Sequence, residues 1–98
     1  MDNIITIVRT HKCRKSDVII RFLEENNIPH EVKFVETDPE AQKIFKIFNI
    51  KASPGIIING QAVNPYHLIE HCKVKDPVNT KKMFFQMLKQ SEADQNNF

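Results

Sequence analysis

Few of the residues that mark specialised protein classes occur in this 98-residue sequence. Its two cysteines, Cys13 and Cys72, are too few for the disulfide framework of a small secreted domain, and thiols this sparse are expected to stay reduced in a cytoplasmic setting. Two glycines exclude a collagen-like or glycine-rich linker composition. With no tryptophan and Tyr66 as the one tyrosine, the stacking platforms that grip single-stranded nucleic acid are missing, and no nucleic-acid partner is expected. No apolar run approaches the roughly 20 residues of a membrane span. The opening MDNIITIV carries Asp2 where a signal peptide has a basic region, so neither a membrane partner nor secretion is expected.

What remains is 41% hydrophobic and 27% charged, the balance of a globular chain, and too short for two cores. One domain is expected over residues 1–90, followed by a polar, frayed tail over 91–98. The net charge of +2 implies no polyanionic partner by itself, but its distribution is uneven. Arg9, His11, Lys12, Arg14 and Lys15 crowd around Cys13, with no acid between Asp2 and Asp17.

The pattern of elements is readable along the chain. Ile4–Val8 reads as a buried strand, and Val18, Ile19, Phe22 and Leu23 mark one face of a helix that stops near Asn26–Asn27. His30–Val35 reads as a second strand. Asp38-Pro39 is a helix start, with Ala41, Ile44, Phe45 and Phe48 at the spacing of a buried face. Ile56–Ile58 is a third strand, and Asn59-Gly60 predicts a tight hairpin to Gln61–Val63. Asn64-Pro65 is expected to open a short helix through about Cys72, with Leu68, Ile69 and Cys72 facing the core. Asp76-Pro77 opens a last helix through Gln90, with Met83, Phe84, Met87 and Leu88 on its apolar side.

This predicts an α/β chain of order β-α-β-α-β-β-α plus an extra C-terminal helix, with a four-stranded mixed sheet covered on both faces by helices. A cysteine where the first strand meets the first helix has a physical consequence. Unpaired backbone N–H groups and the positive end of the helix dipole favour the thiolate, and neighbouring cations push the same way. Such settings bring a thiol from about 8.5 to about 3.5–7.5. Arg14 and Lys15 sit in the first helical turn, where cations are disfavoured; beside a cysteine this points to a site, the alternative being two side chains that simply extend into solvent. Ser16 stands where a second cysteine would make Cys-x-x-Cys, so the thiol cannot close its own disulfide; the hydroxyl can donate to the sulfur or cap the helix. His67 and His71, spaced i, i+4, and His11-x-Cys13 each fall short of a metal site, and no metal is expected.

The element order, Thr10-His11-Lys12-Cys13-Arg14-Lys15-Ser16 at the strand–helix junction, Ala52-Ser53-Pro54 before the third strand, and the Asn59-Gly60 hairpin together resemble the thioredoxin superfamily, nearest its small glutaredoxin-like members. The resemblance spans about Ile4 to Cys72. It implies the thioredoxin-like fold, Cys13 as nucleophile, a cis Pro54 facing the thiol, and a Ser53 backbone that pairs with substrate. Ser16 would assist Cys13; Arg9, Lys12, Arg14, Ser53 and Pro54 would bind substrate. The implied function is monothiol thiol–disulfide exchange through a mixed disulfide at Cys13, with a protein or small-molecule thiol or disulfide as partner, in a monomer or weak homodimer. The family's Gly-Gly-x-Asp turn, which holds the glutamyl end of glutathione, falls near Asn64-Pro65-Tyr66-His67, where Pro65 removes a donor and no carboxylate stands. Glutathione is left open as a co-substrate. The Cys-Gly-Phe-Ser motif of cluster-carrying members is matched only at Cys13 and Ser16, so an iron–sulfur cluster is not expected. The alternatives are a non-catalytic binding module on the same fold, or an anion-handling protein similar to arsenate reductases, which carry a comparable basic nest.

Overall fold

The computed structural model describes residues 4–96, with side chains through Lys89. The first strand, β1 (Ile5–Arg9), is followed by α1 (Arg14–Glu25), β2 (His30–Phe34), α2 (Pro39–Ile47), β3 (Gly55–Ile58) and β4 (Gln61–Val63). The four strands form one mixed sheet in the order β2-β1-β3-β4. β1 runs parallel to β2, as a helical crossover requires, and antiparallel to β3, while β3 and β4 are a hairpin. Asn59 (φ 51°) and Gly60 (φ 78°) both take the left-handed backbone that this two-residue turn demands.

Alternation along the strands sorts the two faces. Ile5 and Ile7 lie directly opposite Ile58 and Ile56, all fully buried, under Ile19, Phe22 and Leu23 of α1. A last helix, α3 (Pro77–Asn96), closes this layer with Phe84 and Leu88, and the Phe22 and Phe84 rings meet at 6.2 Å. Val8 and Gly55 face the other way, beside α2. Asp38 caps that helix by accepting the Glu40 N–H at 2.9 Å. Only Ala41 of α2 is fully covered; Ile44, Phe45 and Phe48 are half-buried and Ile47 is exposed, so this single-helix layer is the looser one. A side chain at Gly55 would come within 2.6 Å of Ile50 Cδ1, so the end of that isoleucine would have to move aside.

Two expectations give way. The segment after β4 is not a helix. Pro65–His67 forms one 3-10 turn, then Ile69–Glu70 (β5) and Lys73–Val74 (β6) pair as a small hairpin. His71 (φ 52°) and Cys72 (φ 60°) form its tip, so Cys72 is exposed rather than part of the core, and of the three residues expected there Leu68 and Ile69 reach the interior. The hairpin also separates His67 from His71, and among the described residues no three metal-ligating side chains gather. The helical layers are therefore α1 and α3 on one face and α2 on the other, with no helix over 64–72. Second, α3, expected to end at Gln90, runs on to Asn96; Asn97 and Phe98 lie outside the described residues. No helix among the described residues is long and apolar enough to cross a membrane.

Candidate active site

Arg9 ends β1 and carries the same parity as Ile5 and Ile7, so its side chain turns inward towards α1 and is only 6% exposed. There its guanidinium organises the next residues. Nε donates to the Thr10 carbonyl at 2.8 Å, Nη2 to the His11 carbonyl at 2.8 Å and the Cys13 carbonyl at 3.5 Å, and Nη1 meets Asp17 Oδ1 at 2.6 Å. A planar fork with several donors is what allows one side chain to hold a whole loop. Arg9, expected with Lys12 and Arg14 to support the thiolate or an anionic substrate, is thus a buried clamp under the loop.

The loop delivers Cys13 to the N-cap of α1 with extended backbone (φ −143°, ψ 105°). Its carbonyl accepts the Asp17 N–H at 3.2 Å, which starts the helix, and its side chain is half-buried. Ser16 and Ser53 stand beneath the sulfur. Ser16 is fully buried, with its Oγ 3.2 Å from Ser53 Oγ, and Ser53 Oγ accepts the Thr10 N–H at 3.1 Å. The Ser53–Pro54 bond is cis. The hydroxyl that accepts in the Ser16–Ser53 pair keeps its own proton for the sulfur, so the network always has a donor to turn towards a thiolate.

These groups set the thiol's acidity. Partial burial pushes the Cys13 pKa up, but the Ser16 hydroxyl, the Ser53 hydroxyl, the Ser16 backbone N–H and the Arg9 charge outweigh it, and the thiol sits below its ordinary value. The junction of β1 with α1 and the loop before β3 therefore bring together Cys13, Ser16, Ser53, Pro54 and Arg9. Lys12 and Arg14 are exposed on the rim, as is Lys15, and none of them enters an ion pair among the described residues.

Some participants escape a reading of the motif alone. Asp17 anchors Arg9; its signal is that it is the one acid in the first turn of α1. Glu36 accepts the His11 N–H at 2.9 Å and lies 3.1 Å from His11 Nδ1, and the His11 N–H holds its carboxyl below the usual range. The His11 ring stacks on Phe34 at 4.3 Å, so this histidine faces β2 and its acid and is no member of the thiol's cationic ring. The parallel pairing of Arg9 with Phe34 is the clue, since it sets position 36 beside position 11. Tyr66 is the third, with Lys15 Nζ 5.0 Å from its ring centre.

A protein-family model described as Glutaredoxin matches residues 5–63. No curated protein and no solved structure matches the chain.

Proposed function

The chain belongs to the glutaredoxin family, and from that premise we propose that it is a one-thiol thiol–disulfide oxidoreductase working through a mixed disulfide at Cys13. The observation that carries the reading is the sulfur's setting: a helix N-cap thiol held below its ordinary pKa by two hydroxyls, a backbone N–H and a buried guanidinium. With a serine at position 16, the resolving thiol must come from outside the Cys-x-x-Ser motif.

The cycle has two exchanges. The Cys13 thiolate attacks one sulfur of a substrate disulfide; a new S–S bond forms at Cys13, and the other substrate sulfur leaves with the electron pair as a thiolate. A second thiolate then attacks the mixed disulfide at the substrate sulfur, forms a new disulfide with it, and releases Cys13 as thiolate. Ser16 and Ser53 supply hydrogen bonds to the sulfur whenever it carries charge. Lys12 and Arg14 face the incoming partner, while Arg9 acts from below.

Alkylation of Cys13 by a neutral reagent across a pH series tests the premise: half-maximal reactivity is expected below about 8.5. Exchange with a glutathionylated peptide is expected to vanish in Cys13→Ser and persist in Cys72→Ser. Equal loss in both variants would defeat the one-thiol cycle. A thiol titrating at or above the free value would instead leave a docking module without turnover.

A further inference from the structure

A groove of about 420 Å³ starts at Pro54, the residue after the Ser53 that bonds the thiol, and runs between the loop bearing Phe48, Ile50 and Lys51 and the edge formed by β4 and Tyr66. Its lining is largely apolar, with Lys51 as the one charge and no carboxylate. Tyr66 is 47% exposed, and Lys15 reaches across from the first turn of α1 to its ring, joining the groove to the cationic rim of Lys12, Arg14 and Lys15. An extended chain leaving Cys13 along Pro54 would pass positive charge first and an apolar trough next.

The turn at the end of this groove is closed to a free amino-acid group. Asn64 Oδ1 takes the Tyr66 N–H at 2.9 Å and the Asn64 carbonyl takes the His67 N–H at 3.2 Å, while Pro65 has no N–H to offer. No acid stands in 64–67 to hold an ammonium. The zwitterionic end of a glutathione molecule therefore finds no free backbone donor at Pro65, Tyr66 or His67 for its carboxylate and no acid in this turn for its amine.

We propose that this site takes polypeptide disulfides in preference to glutathione: an acidic segment meets Lys12, Arg14 and Lys15, and an apolar side chain near its cysteine enters the groove beside Pro54. The inference rests on the exchange cycle above and adds its substrate class. On a peptide carrying a glutathionyl disulfide, the Cys13 thiolate attacks the peptide sulfur, the Cys13–peptide bond forms, and glutathione leaves with the electron pair as a thiolate. A second thiol then releases the peptide.

The test uses the full chain as Cys72→Ser with two glutathionylated peptides of equal length. One carries Asp-Asp before the cysteine and Phe after it; the other has Lys-Lys in place of the acids. Acid quench and intact mass read which group rides on Cys13, and how fast. The expected result is a peptide adduct, formed at least about tenfold faster from the acidic peptide at low salt. That ratio is expected to shrink with added salt and in Lys15→Glu, and because it compares two substrates of one thiol it is insensitive to the thiol's own pKa. Tyr66→Ala is expected to slow the acidic peptide. A glutathione adduct on Cys13, or equal rates for the two peptides, would overturn the substrate assignment while leaving exchange intact. No adduct from either peptide, with Cys13 still open to alkylation, would instead bring down the exchange reading.

Discussion

Ser53 Oγ is the atom on which the thiol's surroundings converge, because it accepts the Thr10 N–H and pairs with Ser16 Oγ at once. Removing either hydroxyl takes away a donor that the thiolate uses, so Ser16→Ala and Ser53→Ala should each raise the pH at which Cys13 alkylates. The shared network should make the double variant's shift unequal to the sum of the single shifts. The lowered pKa is also a statement about stability. Between the folded-state pKa and the unfolded value near 8.5, the unfolded chain holds a proton that the folded chain has released, so folding gains as pH rises across that window and gains no more above it. Urea midpoints of the wild type measured against Cys13→Ser should diverge with pH in that sense; parallel curves would mean that the thiol is not stabilised as an anion by the fold. The cysteine, both serines and Pro54 were all legible as motif positions. The inward turn of Arg9 was hidden, because the first strand reads as ending at Val8 and the cations from Arg9 to Lys15 read as one uniform patch; only a strand that extends to Arg9 gives it the parity of Ile5 and Ile7.

At the scale of elements, the two hairpins show why one turn announces itself and another does not. Asn59-Gly60 carries the residues that tolerate a left-handed backbone, and the β3–β4 hairpin follows from them. His71-Cys72 takes the same backbone without either residue, and Leu68, Ile69 and Cys72 happen to fit helical spacing, so the β5–β6 hairpin was hidden. A left-handed conformation costs a non-glycine residue about 1–2 kcal/mol, partly returned in glycine by its greater freedom when unfolded. Cys72→Gly should therefore raise the free energy of unfolding by about 0.5–1 kcal/mol. Cys72→Val, β-branched and poorly suited to this backbone, should lower it by a similar amount. Denaturant unfolding of both reads the sign. Stabilisation by valine would mean that the tip does not hold this turn.

For the whole molecule, the stretch that matches the family ends at Val63, yet the layer that covers Ile5, Ile7 and Phe22 does not. Leu68 and Ile69 from the small hairpin, then Phe84 and Leu88 from α3, fill the same face of the sheet, and Asn59 Nδ2 ties the β3–β4 turn to the Met87 carbonyl. The C-terminal helix is thus a wall of the core that supports β1, and β1 in turn carries Arg9 and the loop that presents Cys13. Neighbouring phenylalanines on α3 separate this role from mere helix content, since Phe84 is fully buried and Phe85 is 38% exposed. Phe84→Ala should cost about 3–5 kcal/mol of stability by leaving a cavity against Phe22. Phe85→Ala, on the outer side of the same turn, should cost less than about 1 kcal/mol. A chain ending at Lys75 would expose the face over Ile5 and Ile7 and should lose its cooperative unfolding transition, and with it the depressed titration of Cys13. Were that shortened chain to unfold sharply and keep a low-titrating thiol, the active-site loop would owe its shape to β1 and α1 alone, and the helix would be an addition to a core already closed.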